Sequence, residues 1–196
     1  FFLEDGGCLS GLHQIDGKMY YFDPDSGTSV SGWVEIDGSF YYFRPDAVKE
    51  QFIQIDNGTY YFDEKGKSVT GLYTVNDELY YFNEKGDMQT GRQAVDGVIY
   101  YFDEKTGAVF TGIVEQGGYK YYYDGENGIR TGFLTEGEDT YYFSSAGIMQ
   151  KGLLEIGGEL YYFDPDTGAA YTGIFAPGNG AIYYFDGKNG TGSGFQ

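Results

Sequence analysis

The chain has 196 residues with 33 Gly, 22 Tyr, 16 Phe, one Trp, one His and one Cys, and its net charge is −18. So acidic a chain excludes nucleic acid, whose phosphates need clustered cations, and disfavours anionic membrane surfaces for the same reason. A lone Cys8 excludes an internal disulfide and a lone His13 a zinc site of the usual kind.

No apolar run approaches the ~20 residues of a membrane helix, and no basic-then-apolar leader opens the chain. The opening residues 1–7 start mid-pattern, as expected of a piece of something longer. A Ser-His-Asp or Cys-His catalytic arrangement would have to use His13, which reads as a solvent-facing strand residue. A glycosidase needs only two carboxylates, but stacked hairpins offer no deep pocket to raise the pKa of one of them. The expectation is a protein without enzymatic activity and without a cofactor or metal.

From residue 11 onward one unit dominates. Tyr-Tyr-Phe recurs with its first Tyr at 20, 41, 60, 80, 100, 121, 141, 161 and 183, and only the sixth copy differs, as Tyr121-Tyr122-Tyr123. Repeats begin near 11, 32, 51, 71, 91, 112, 132, 152 and 173, with Gln51 alone in place of Gly, and residues 1–10 form a partial repeat. Within the first unit, Leu12-His13-Gln14-Ile15 and Lys18-Met19-Tyr20-Tyr21-Phe22 flank Asp16-Gly17, a hairpin signal because a type I′ turn needs two residues at positive φ. The same turn is expected at Asp37-Gly38, Asn57-Gly58, Asp96-Gly97, Gly117-Gly118 and Gly157-Gly158, with Asn76-Asp77 as a weaker version. Alternation puts Tyr20 and Phe22 on one face and Met19 and Tyr21 on the other. Hairpins of this size do not stand alone, so each covers the next, and connectors such as 63–70 form the corners. The fold class is all-β: a solenoid of stacked β-hairpins, about nine repeats of about 20 residues, filling 1–196 as a single repeat domain.

The corners Asp23-Pro24-Asp25-Ser26-Gly27 and Asp164-Pro165-Asp166-Thr167-Gly168 invite a calcium reading, but they lack further oxygen ligands and a distal Glu, so they read as tight turns. The Tyr pairs recur in every unit and so first serve stacking. Aromatic residues outside the repeat are better ligand candidates: Trp33, Phe40, Tyr73, Phe110, Tyr119 and Tyr171. Trp33 leads, since indole is a preferred sugar platform. Arg92, replacing the apolar residue after Gly91, reads as a surface ion pair or a contact for an acidic sugar.

Written as Gly-(apolar)-x-x-Ile-(Asp-Gly)-x-x-Tyr-Tyr-Phe-Asp, the unit resembles the cell-wall-binding, or choline-binding, repeat superfamily. That resemblance implies hairpin-plus-loop repeats with ligands bound between adjacent units. It also implies a secreted or surface-attached bacterial protein, here the C-terminal part of a larger one with an N-terminal partner domain. Choline-binding members carry Trp after the Gly and again before Tyr-Tyr-Phe, boxing a quaternary ammonium by cation–π attraction. Here the first position holds Leu12, Trp33, Phe52, Leu72, Arg92, Ile113, Phe133, Leu153 and Ile174. The second holds Met19, Phe40, Thr59, Leu79, Ile99, Lys120, Thr140, Leu160 and Ile182. Only the second unit is aromatic at both, and Tyr60 or Tyr61 of the following unit would close its box. Elsewhere these positions read as aliphatic packing between hairpins, closer to the glucan-binding and clostridial-toxin repeats. The expected function is non-catalytic recognition of bacterial cell-wall polysaccharide or a related glycan through Trp33, Phe40, Tyr60, Tyr61, Tyr73, Arg92, Tyr119 and Tyr171. The alternatives are choline-decorated wall polymers and a structural spacer presenting another domain.

Overall fold

The computed structural model describes residues 7–178, 180–187 and 191–195, the last five through their backbone. The start of the partial repeat, residues 1–6, lies outside the described residues. The chain divides into two compact units, Phe1–Gly91 with Phe102–Ala108, and Arg92–Tyr101 with Val109–Gln196.

Among the described residues nine hairpins follow one another. The first four are β1 (Gly11–Ile15) with β2 (Lys18–Phe22), β3 (Gly32–Ile36) with β4 (Ser39–Phe43), β5 (Gln51–Ile55) with β6 (Gly58–Phe62), and β7 (Gly71–Val75) with β8 (Glu78–Phe82), to which the short β9 (Met88–Gln89) adds. Then come β10 (Gly91–Val95) with β11 (Val98–Phe102), β12 (Gly112–Gln116) with β13 (Tyr119–Asp124) and β14 (Gly128–Ile129), and β15 (Gly132–Glu136) with β16 (Asp139–Phe143). β17 (Gly152–Ile156) with β18 (Glu159–Phe163), and β19 (Thr172–Phe175) with β20 (Ile182–Asp186) and β21 (Thr191–Phe195), complete the series. No helix occurs among the described residues, and the architecture is all-β, built of stacked hairpin repeats.

The turns form for the expected reason. Asp16 and Gly17 have φ of 51° and 77°, and even Asn76 and Asp77 take 50° and 67°. One turn departs from expectation: β5 ends at Ile55 and pairs with Gly58, so the third hairpin turns at Asp56-Asn57 and Gly58 lies in the strand. The Gly that opens a repeat also sits at positive φ, as Gly11 does at 76°. Where Gln51 replaces it, the left-handed residue moves back to Glu50, at φ 47°.

The core sits at the third residue of the triplet. Phe22, Phe43, Phe62, Phe82, Phe102, Tyr123, Phe143, Phe163 and Phe185 are the largest fully buried side chains, whereas most of the paired Tyr are half-buried. His13, expected to face solvent, lies on the same face as Tyr20 and Phe22 and is half-buried, its ring edge-on to Phe22 at 5.9 Å. Its Nε2 donates to the Ser10 carbonyl at 2.8 Å.

The connectors do more than turn corners. Several run back along their own hairpin, as Val48 N donates to Tyr42 O at 2.8 Å, and also reach the preceding hairpin. There Ala47 N donates to Met19 O and Ser68 N to Phe40 O in the first unit, at 2.8 and 2.7 Å. In the second, Met149 N donates to Lys120 O and Ala170 N to Thr140 O, at 2.8 and 2.7 Å. Stacking therefore rests on main-chain bonds as well as apolar burial, and these bonds need no particular side chain.

The acidic corners are turns. Asp23 Oδ1 accepts from the amides of Asp25 and Ser26 at 3.1 and 2.7 Å, and Asp164 Oδ1 from those of Asp166 and Thr167 at 3.0 and 2.8 Å. These bonds hold both carboxyls below the ordinary aspartate value, the Ser26 and Thr167 amides contributing most. Asn83 Oδ1 and Ser144 Oγ take the same place at other corners, so the turn needs an acceptor and no charge.

Candidate functional site

Each hairpin has a front face, carrying the first Tyr and the Phe of the triplet, and a back face, carrying the residue after Gly and the second Tyr. The back face of one hairpin meets the front face of the next. Trp33, on the back of β3, stands opposite Tyr42 in register, with ring centroids 5.4 Å apart. Its other neighbours belong to the following hairpin: Tyr60 at 4.9 Å and 74°, and Phe62 at 5.7 Å.

Trp33, Phe40 and Tyr60 line one cavity of about 490 Å³, together with Glu84 and Lys85. Trp33 and Phe40 remain 39% and 42% exposed, so two large rings present surface to solvent. Tyr60 is held in place by two features absent from the expectation. Gly58 leaves room for its ring, because a Cβ there would stand 2.8 Å from the Tyr60 hydroxyl oxygen. Asp87, whose Oδ1 accepts from the Thr59 amide at 3.2 Å, lies beside both. The Tyr60 hydroxyl is raised above its ordinary pKa, chiefly by burial and then by Asp87 and Asp56, so the ring is neutral at physiological pH. Gly58 was legible only as a turn residue, and nothing marked Glu84, Lys85 or Asp87, which arrive from another repeat.

The two-ring arrangement recurs without the third wall. Phe52 lies 5.0 Å from both Tyr61 and Tyr80, and Phe133 lies 4.8 Å from Tyr142 and 5.0 Å from Tyr161. Thr59 and Thr140 occupy the places equivalent to Phe40. The aliphatic members of this position, expected to be packed away, stay open: Leu72 is 37% exposed and Ile174 69%. On the back face each pairs with the second Tyr across the strands, Leu72 with Tyr81 and Ile174 with Tyr184.

The other candidates lie elsewhere. Tyr61 packs on Phe52 and on Tyr73, at 5.0 and 5.8 Å, away from the Trp33 cavity, and Tyr73 is half-buried opposite Tyr80. The guanidinium of Arg92 sits over the Tyr121 ring, 5.4 Å from its centroid. Tyr119 is 55% exposed and lines a separate cavity. Tyr171 is half-buried, edge-on to Tyr162 at 5.6 Å, and donates to Ile174 O at 3.4 Å, while Phe110 meets Tyr101 edge-on.

The choline-binding repeat matches residues 9–52, 69–113 and 130–175, and the cell wall binding repeat matches 50–68. The chain belongs to the choline-binding repeat family. Among solved structures, it is similar to choline binding protein F of Streptococcus pneumoniae, at 30% identity and a TM-score of 0.71, covering 91% of this chain and 61% of that one. The same protein in complex with ipratropium matches at 28% identity and a TM-score of 0.69, over 91% of this chain and 63% of that one. The choline-binding domain of CbpL from the same species shares the fold, at 22% identity and a TM-score of 0.70, over 94% and 98% of the two chains. The repeats described here thus span under two thirds of choline binding protein F. No match was found among curated proteins. Among the described residues no helix is long and apolar enough to cross a membrane.

Proposed function

We propose that this chain is a wall-attachment module that binds the choline groups of bacterial surface polymers, with Trp33, Phe40 and Tyr60 as its cation cage. The observation that carries this is the convergence of three rings from two successive hairpins on one open cavity. A trimethylammonium group donates no classical N–H hydrogen bond, so ring faces recognise it better than carboxylates do. The net charge of −18 adds long-range attraction for a cation, while Glu84 and Lys85 at the cavity offset one another. Ipratropium, bound by choline binding protein F, also carries a quaternary ammonium, which supports the reading. The two-ring steps at Phe52 and Phe133 are weaker sites of the same kind, and several of them on one polymer give avidity. On this reading the protein is held at the bacterial surface without catalysing any reaction itself, and the alternative of choline-decorated wall polymers takes the place of recognition of the glycan itself.

The single Trp is its own reporter. Titration with choline should change Trp33 emission saturably, while uncharged 3,3-dimethylbutanol should not. Phe40→Ala removes one ring, about 1 kcal/mol of cation–π attraction, and should weaken choline about fivefold with the melting temperature nearly unchanged. Equal binding of the uncharged analogue, or an unchanged affinity in Phe40→Ala, would overturn the proposal.

A further inference from the structure

A second cavity, of about 480 Å³, opens in the other unit between the turn end of the β12–β13 hairpin and the connector 148–151. Three departures from the repeat converge on it. Lys120 stands where the other units carry apolar residues or Thr. Tyr119 stands where they carry Lys18, Ser39, Gly58, Glu78, Val98, Asp139, Glu159 and Ala181, and its ring is 55% exposed. Lys151 stands where most of them carry Ser or Thr. Packing does not ask for these residues, since the same hairpin forms without them eight other times.

The walls are fixed. Met149 N donates to Lys120 O at 2.8 Å, Gln150 N to Tyr142 O at 2.8 Å, and the Gln150 side chain to Ile148 O at 2.8 Å. Among the described residues no ion pair within 4 Å engages Lys120 or Lys151. Glu115 faces Lys120 across the strand pair, and Lys151 lowers the pKa of Asp164 only as a minor contribution. In a chain with 12 Lys and Arg against 30 Asp and Glu, a cavity lined by two lysines, one glutamate and an exposed tyrosine is a local exception.

We propose that this cavity binds an acidic sugar, its apolar face stacked on Tyr119, its carboxylate or phosphoryl group held by Lys120 and Lys151, and a hydroxyl donating to Glu115. Tyr supplies a rigid platform with a polar tip, and ammonium groups bind carboxylate and phosphoryl oxygens by charge-assisted bonds. The site is independent of the choline cage and lies in a different unit.

Calorimetric titration of the full chain with a glucose–glucuronate disaccharide, its neutral glucose–glucose counterpart, glucose 6-phosphate and inorganic phosphate tests this. At least one of the two acidic sugars should bind about tenfold more tightly than the neutral disaccharide, and less tightly as salt is raised. The tighter of the two identifies the acid. Tyr119→Ala and Lys151→Gln, both exposed and expected to fold, should each weaken it about fivefold, while Phe40→Ala, which affects choline, should leave it unchanged. The proposal is overturned if neither acidic sugar binds, if the neutral disaccharide binds equally, if inorganic phosphate matches glucose 6-phosphate, or if Tyr119→Ala has no effect.

Discussion

Phe62→Ala tests how the stack is held. Phe62 has no exposed surface and forms a buried cluster with Val48 and Ile55, against which Tyr42, Ile53 and Tyr60 pack. Its ring also meets Trp33 at 5.7 Å and Tyr42 at 6.4 Å, both from the preceding hairpin. Truncating a buried Phe costs about 3–5 kcal/mol in lost transfer and residual cavity, and lost ring pairs are part of that figure. In a repeat array with mostly nearest-neighbour contacts the loss falls on the second and third hairpins rather than on the whole chain. Urea unfolding followed at Trp33 reads those hairpins directly, and far-ultraviolet circular dichroism reads the remainder. With a slope of about 1–3 kcal/mol per molar urea, the Trp33 midpoint should fall by 1 M or more while the dichroism transition broadens. A Trp33 shift equivalent to less than about 1 kcal/mol would refute the burial argument. Coincident, equally shifted transitions would refute the nearest-neighbour one.

Three further outcomes are expected. Asp164→Asn keeps the acceptor for Thr167 and Asp166, as Asn83 does naturally, and removes the proton. Because the carboxyl is depressed in the folded state, its contribution is present above the ordinary value of 3.8 and lost as pH falls through the lower folded value. Melting near neutral pH should therefore fall slightly with the loss of the charged acceptor, and the variant should lose less stability than the parent as pH drops below the ordinary value. Glu50→Gly should stabilise by about 0.5–1 kcal/mol in chemical denaturation, since it removes left-handed strain at φ 47° that outweighs the added freedom of the unfolded chain. Tyr122 donates to Glu136 Oε1 at 2.5 Å, and this bond, more than burial, raises its pKa to about 12. That contribution is present below the ordinary value of 10.0 and lost as pH rises to about 12. Tyr122→Phe should cost about 1 kcal/mol at neutral pH, a figure reduced for the exposure of Glu136, and should flatten the alkaline limb of the stability profile.

The repeat, its period, the hairpins and most turns were legible because they rest on local chemistry: two residues able to take positive φ, flanked by strands with alternating faces. Trp33 and Phe40 were legible as neighbours because they occupy repeat positions whose spacing survives folding, whereas the sequence left open whether Tyr60 or Tyr61 joins them, and it is Tyr60 that lines the same cavity. The third hairpin misled, since Asn57-Gly58 is a good turn pair, yet Ile55 stands five residues before Tyr60 just as Ile15 does before Tyr20, so the same register puts the turn at Asp56-Asn57 and Gly58 in the strand. His13 misled too, because alternation places it on a strand face without saying that Phe22 covers that face.

By itself, then, the sequence determined an all-β array of hairpins and singled out Trp33 and Phe40, two of the rings now proposed as a cation cage. Only the tertiary structure decided which of each aromatic triplet is the core, which apolar residues stay open, and which distant side chains complete a cavity. Glu84 and Lys85 line the Trp33 cavity from a connector whose Asp87 side chain accepts from the Thr59 amide, and Lys151 joins Tyr119 because Met149 N donates to Lys120 O, as other connectors do onto earlier hairpins. The main-chain bonds run between groups that every residue carries, so no side-chain pattern announces them.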